Sequence, residues 1–198
     1  MEQAQITQYI RNYLQNLRGI KVSEESTQLI RNHLKVVTVK SKDTLIFPGK
    51  ICKYIYLVIQ GGFVCRYMHK TGTAKTINFY LTDLHPIMAC LDSYFTQTPT
   101  SCELKAVAES TVIGIPKTII DTLKEEDRYF EKFYHQVVST AMIEENDLKM
   151  KLIAYSSKEK YEFILQEMPA VIRAVPSKYI AEFCGVSAEW LSKLKKQN

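Results

Sequence analysis

The feature that most constrains this chain is a change of hydrophobic period in its middle. From Val36 to Ile115 the apolar residues come in short β-branched and aromatic runs broken by turn residues, a texture no helix of ordinary length can carry. Val36–Lys40 and Thr44–Phe47 are separated by Ser41-Lys42-Asp43 and closed by Pro48-Gly49. Tyr54–Ile59, Gly61-Gly62, Phe63–Met68, a Lys70-Thr71-Gly72-Thr73 turn and Lys75–Leu81 follow. A last strand pair, Leu104–Ala108 and Thr111–Ile115, is joined by Glu109-Ser110. Short strands at near-even spacing with Gly, Pro and Asp turns predict an antiparallel barrel or sandwich. Its expected core is Val37, Val39, Leu45, Phe47, Ile55, Leu57, Ile59, Val64, Ile77, Phe79 and Val112.

Helical spacing returns on both sides. Ile6, Tyr9, Ile10, Tyr13, Leu14 and Leu17 predict one helix, and Ser23 is a candidate cap for a second that reaches Leu34. From Ile119 to about Tyr155 a stripe of Phe130, Phe133, Val137, Ala141 and Leu148, interrupted by Glu144, predicts a helix too apolar along one side to stand alone in water. It is expected to pack on the strands, on a second chain, or on both. Beyond Ser156 the chain reads as short helices, broken at Met168-Pro169 and restarted at Pro176-Ser177.

Composition narrows the function classes. With 198 residues, 46% of them hydrophobic and 24% charged, the chain has material for a sizeable core, which excludes low-complexity and wholly disordered readings. Apolar runs such as Tyr54–Ile59 fall far short of the ~20 residues that span a bilayer. Met1-Glu2-Gln3-Ala4-Gln5 lacks the pattern of a signal peptide, so a soluble cytoplasmic protein with no membrane partner is expected. Cys52, Cys65, Cys90, Cys102 and Cys184 have no Cys-x-x-Cys spacing, so reduced buried thiols are expected rather than disulfides or a metal site. No Ser-His-Asp order, paired-carboxylate pocket or Gly-rich phosphate loop is recognisable; no catalytic residue, cofactor or metal is expected. The net charge is +5, of which Lys151–Asn198 carries +3 from eight basic and five acidic residues. That bias suits a polyanionic partner without establishing one.

The segment from Ser177 to Leu194 has the spacing of a helix-turn-helix. Ala181 supplies the small residue where two short helices cross, and four residues later Gly185 supplies the positive φ of a sharp turn. Ile180, Cys184, Val186, Leu191 and Leu194 fall on the side where the helices meet. Ser187 is positioned to cap the second helix, with Glu189 in its first turn. Ala188, Glu189, Ser192 and Lys193 then lie on the outer face, followed by Lys195 and Lys196; such a helix fits the DNA major groove. The competing reading is a helical hairpin that merely closes the domain.

Strands from Lys35 to Ile115, a long helix, and this motif near the end together resemble one family, the Crp/Fnr transcription regulators of bacteria. The resemblance covers nearly the whole chain. Its most specific stretches are Leu45-Ile46-Phe47-Pro48-Gly49, Tyr54 to Val64, and Ser177 to Leu194. It implies an α+β chain: an N-terminal antiparallel β-roll of the double-stranded β-helix or jelly-roll kind, with flanking helices, a long dimerisation helix and a C-terminal helix-turn-helix. The implied domains are a cyclic-nucleotide-binding-like sensor over 1–127, a connecting helix over 128–155 and a DNA-binding domain over 156–198. The last ends at Asn198 without the β-hairpin wing that often follows in the family.

The resemblance also implies a phosphate cassette after Leu81, with a Gly-Glu pair for the ribose and an Arg for the cyclic phosphate. Here the two stretches read His85-Pro86-Ile87-Met88-Ala89 and Thr98-Pro99-Thr100-Ser101-Cys102, with Thr100 at the Arg position and no Gly-Glu pair. Losing that charge-assisted bond forfeits roughly 1.5–3 kcal/mol, or about 10–100-fold in affinity. Thr100, Ser101, Arg66, Lys75 or Lys105 are the remaining candidates for holding an anion. Cyclic nucleotide is therefore not the expected ligand; the pocket of Met88, Ala89, Thr98, Thr100, Ser101, Arg66 and Lys75 either takes another small-molecule effector or is filled by the protein's own side chains. No cysteine precedes Cys52, as an oxygen-sensing cluster of the family would need, and His69 and His85 are lone histidines unsuited to haem.

A homodimer is expected along the Arg128–Tyr155 helix, with Phe130, Phe133, Val137, Ala141 and Leu148 as its seam and Glu144 as a polar interruption. Two copies of the Ser187 helix would then lie about one DNA turn, ~34 Å, apart, suiting double-stranded DNA with a palindromic operator. Family members place Arg on the reading face; Ala188 and Lys193 stand there instead, and lysine discriminates bases less well. Trp190 is expected to be partly buried. Two functional classes follow: a DNA-binding regulator, or a ligand- or protein-binding module that keeps the fold without binding DNA.

Overall fold

A computed structural model describes residues 23–195; the helix expected from Ile6 to Leu17 lies outside them. These residues form two compact units. The first joins the described part of 1–35 to Ile115–Met150, and the second joins Val36–Gly114 to the described part of Lys151–Asn198.

The second unit holds the strands: β1 (Lys35–Val39), β2 (Thr44–Ile46), β3 (Tyr54–Gln60), β4 (Gly62–Met68), β5 (Ala74–Leu81), β6 (Ile87–Met88), β7 (Cys102–Ala106) and β8 (Ser110–Pro116). They make two four-stranded sheets, ordered β1-β8-β3-β6 and β2-β7-β4-β5, facing each other as a roll rather than closing into a barrel. Val58, Phe63, Leu104, Ala106 and Val112 are wholly buried in the core between them. The β4–β5 hairpin turns where Lys70–Thr73 predicts it, with His69 N donating to Thr73 O at 2.8 Å.

Two expectations need correction. The strands around Glu109-Ser110 are not a pair, because β7 sits between β2 and β4 while β8 sits between β1 and β3. The short link carries the chain from one sheet to the other, pinned by Ser110 Oγ, which accepts from Gly62 N at 3.0 Å and donates to Gly62 O at 3.1 Å. Gly61 beside it has φ +76°, and a Cβ there would meet Ser110 Oγ at 2.3 Å. Phe47 and Ile77 are exposed, at 55% and 39%, not core. For Ile77 the cause is a bulge: Cys65 pairs with Asn78 but Arg66 pairs with Thr76, so Ile77 is the extra residue and Thr76 is turned inward, 4% exposed.

The helices of this unit after the strands begin with α5 (Ser157–Glu167), then α6 (Pro169–Ala174), α7 (Ser177–Cys184) and α8 (Ala188–Lys195); α2 (Leu91–Thr96) lies between β6 and β7. Ser156 caps α5 in a capping box with Glu159. In the first unit α1 (Glu24–His33) starts at Ser23, whose Oγ accepts from Ser26 N at 3.0 Å, as expected. The long helical stretch is broken once, into α3 (Lys117–Glu126) and α4 (Arg128–Ala154). Asp127 makes the break: its Oδ1 accepts from Tyr129 N and Phe130 N at 2.8 and 3.1 Å, and its Oδ2 from Ser26 Oγ at 2.5 Å. No helix among the described residues is long and apolar enough to cross a membrane.

Candidate functional site

The turn between α7 and α8 is built as its residue types require. Gly185 has φ +74° with open space around its α-carbon, so the position asks for backbone freedom and not for smallness. Val186 N donates to Ala181 O at 3.0 Å across the turn, and Trp190 N donates to Ser187 Oγ at 3.1 Å, which is the expected cap. Leu191 and Leu194 are buried, together with Ile180, Ala181 and Cys184 beneath them. Ala188, Glu189, Ser192 and Lys193 are all exposed on the opposite face, and Trp190 is 38% exposed. Lys195 closes α8, and Lys196 lies outside the described residues.

The other face of α7 is fastened to the roll by a carboxylate the sequence reading passed over. Glu182 accepts from Arg66 twice, Nε to Oε2 at 2.9 Å and Nη2 to Oε1 at 3.0 Å, and from Thr76 Oγ1 at 2.8 Å. Arg66 Nη1 also binds Glu103 on β7. Burial opposes the charge on Arg66, but the two carboxylates hold its guanidinium protonated beyond its ordinary range. Phe183 packs on Phe79 with ring centroids 4.9 Å apart, and Arg66 lies 5.5 Å from the Tyr179 ring. The bulge at Ile77 thus has a purpose in the packing, since it delivers the Thr76 hydroxyl to Glu182. One signal was legible: Glu182 is a lone carboxylate inside Tyr179-Ile180-Ala181-Glu182-Phe183-Cys184, an otherwise apolar run that demands a partner for it.

The expected sensor residues do not converge on an open cavity. Thr100 is buried with every polar function engaged: its hydroxyl donates to Asp92 at 3.0 Å and accepts from Cys102 N at 2.9 Å. Its N donates to Lys50 O, and its O accepts from Gly49 N. Met88 and Ala89 are buried, while Lys75, Thr98 and Ser101 are exposed. Arg66 is engaged by Glu103 and Glu182. A cleft of about 180 Å³ beside Phe47, Ile51 and Tyr54 and another of about 130 Å³ beside Leu81, Asp83 and Arg173 are not lined by Thr100.

On α4, Phe130 and Phe133 are buried within the single chain at 2% and 6% exposure. Val137, Ala141 and Leu148 are half-buried, and Glu144 is exposed. The large aliphatic groups in solvent are Met142, Ile143, Met150 and Ile153, at 68%, 71%, 53% and 79%. They lie on a different stripe from the one read in the sequence.

A two-sheet roll, a long helix and a terminal helix-turn-helix define the fold of the Crp/Fnr-type transcription regulators and cyclic-nucleotide-binding domains. Among solved structures, FixK2 of Bradyrhizobium japonicum superposes with a TM-score of 0.68 at 13% identity, covering 83% of each chain. A Eubacterium rectale protein described as a Crp/Fnr-family regulator gives 0.68 at 14% identity, over 89% of this chain and 83% of that one. A cyclic nucleotide-binding domain containing protein of Listeria monocytogenes gives 0.65 at 15% identity, over 99% and 90%. No protein-family model and no curated protein matches the sequence.

Proposed function

We propose that this chain is a DNA-binding transcription regulator of the Crp/Fnr type, acting as a homodimer, with a sensor domain over 1–127, a connecting helix over 128–155 and a DNA-binding domain over 156–198. The observation that carries the reading is the solvent-facing side of α8. Leu191 and Leu194 bury one side of that helix, and Ala188, Glu189, Ser192 and Lys193 remain exposed on the other, as a major-groove helix requires. Lys193 is the contact to base or phosphate, Glu189 accepts from cytosine N4, and Ser187, Lys195 and Lys196 serve the backbone.

The dimer seam is assigned to the exposed stripe of α4. Ile143 and Met150 are seven residues apart and Met150 and Ile153 three apart, the a/d spacing of a coiled coil, and all three are exposed. The sensor pocket is read as filled from within, because Thr100 and Asp92 hold each other where a ligand phosphate would otherwise sit, and a second carboxylate-like charge beside Asp92 would be repelled.

Titrating Trp190 fluorescence with palindromic duplex DNA tests the function. The expected result is a saturable change whose affinity falls with salt at a log–log slope of about −0.9 per phosphate neutralised, with Lys193→Ala lowering the slope by about 1 per bound helix. A flat response at low salt would transfer the assignment to a binding module that keeps the fold without reading DNA.

A further inference from the structure

Four of the five cysteines lie in the core of the roll, and they lie there in pairs. Cys65 and Cys102 hydrogen-bond to each other from β4 and β7, and Cys52 and Cys90 do so at the opposite sheet. Thr100 stands beside both Cys90 and Cys102, its Oγ1 accepting from Cys102 N at 2.9 Å.

The two pairs differ in what oxidation asks of them. Tyr67 is the register partner of Cys102, so Cys65 is its diagonal neighbour across two ladder strands. Diagonal positions in an antiparallel pair stand about 7–8 Å apart, beyond the reach of an unstrained disulfide, and the ladder hydrogen bonds hold them there. Cys52 and Cys90 are under no such constraint. Cys52 sits in irregular chain just before β3, and Cys90 sits in the turn that opens α2. Cys52 N donates to Ser93 Oγ at 2.9 Å and Gln97 Nε2 donates to Cys52 O at 3.3 Å, which ties one cysteine to the helix that begins at the other. Both thiols are buried, at 0% and 1% exposure, so oxidation requires a local opening of the chain at Cys52 or at the start of α2. The hydrogen bond from Cys90 holds the Cys52 thiol down at about 7, against the opposing effect of burial, while Cys90 is pushed up by that same bond and by its own burial. Cys52 is therefore the nucleophile of the pair and Cys90 the resolving thiol.

We propose that Cys52 and Cys90 are a peroxide-reactive modification site, closing reversibly into an intramolecular disulfide inside the roll. The Cys52 thiolate attacks one oxygen of a hydroperoxide; the S–O bond forms, the O–O bond breaks, and the departing oxygen takes a proton to leave as water or alcohol. The Cys90 sulfur then attacks the Cys52 sulfenic acid; the S–S bond forms, the S–O bond breaks, and hydroxide leaves with the Cys90 proton as water. Two thiols lose two electrons, and one peroxide gains them. A dithiol returns both sulfurs to thiols by exchange.

The test uses the folded full-length chain. After brief exposure to stoichiometric hydrogen peroxide, quenching, denaturation and maleimide labelling, intact mass is expected to count three labelled cysteines instead of five, with no sulfinic or sulfonic product. Peptide mapping is expected to find Cys52 linked to Cys90, and dithiothreitol to restore five. Cys184→Ser keeps the loss of two thiols; Cys90→Ser traps a dimedone-reactive Cys52. Five labelled cysteines in the treated wild-type chain, or a link between any other pair, overturns the proposal, and that readout holds whether or not the Cys90 variant folds.

Discussion

Replacing Glu182 by alanine perturbs the contact that fastens α7 to the roll, and its size can be bounded. A fully buried pair that loses one partner costs about 3–5 kcal/mol, and a fully exposed one costs about 0–1 kcal/mol. Arg66 and Glu182 lie between these limits, with side chains 17% and 24% exposed. Their bidentate geometry and the third bond from Thr76 favour the upper half, and the remaining partner Glu103 keeps Arg66 from being orphaned. About 2 kcal/mol is expected for Glu182→Ala, or roughly 30-fold in the equilibrium that holds α7 down. Arg66→Met is expected to cost more, about 3–5 kcal/mol, because it leaves two carboxylates facing each other with Glu103 only 8% exposed. Glu189→Ala, on the solvent side of α8, is the control and should leave stability close to that of the wild type. Urea denaturation gives the three stabilities, and amide exchange in α7 gives the local opening. A double-mutant cycle between Arg66 and Glu182 completes the test: a coupling near zero, or a Glu182 effect no larger than that of Glu189, refutes the argument that this ion pair secures the helix.

Gly185→Ala is expected to lose about 1–2 kcal/mol through its positive φ alone, and Gly185→Asn to recover most of it, since Asn tolerates that conformation and the surrounding space is open; thermal melts distinguish them. Asp127 is held below its ordinary 3.8, where burial would raise it, by the hydrogen bonds from Ser26 and the α4 amides. A carboxylate with a depressed folded value stabilises fully above its unfolded value, so the gap between wild type and Asp127→Ala, about 1 kcal/mol, should be flat near neutral pH and close as pH falls through and below 3.8, measured by urea midpoints across the acid range. Ile143→Glu with Ile153→Glu should halve the mass seen by light scattering while leaving the circular dichroism of the single chain unchanged, because both side chains already stand in solvent.

What could be read from the letters was whatever depends on neighbours in sequence. The strand runs, the Ser23 cap, the Gly185 turn and the Ser187 cap rest on contacts within four residues, and the structure has each of them. What could not be read depends on where the chain goes afterwards. No local pattern announces the extra residue at Ile77, because alternation of apolar and polar side chains is the same on either side of a bulge until the register is known. The stripe chosen on α4 was the more apolar one, led by Phe130 and Phe133, and those rings are the ones the chain buries for itself. The less conspicuous Ile143, Met150 and Ile153 were left outside. That Thr100 stands where the resemblance implies an Arg was visible in the sequence, but its engagement by Asp92 was not, since that pairing needs the turn of α2.

Arg66 and Glu182 are 116 residues apart along the chain. The Phe79 side of the roll therefore stays wet during synthesis until α7 has emerged, and a fragment cut after the strands would present that apolar surface to its neighbours instead of to Phe183. Stable expression of residues 36–114 by themselves is for this reason expected to need a solubilising change at Phe79, and packing of that surface to wait on α7.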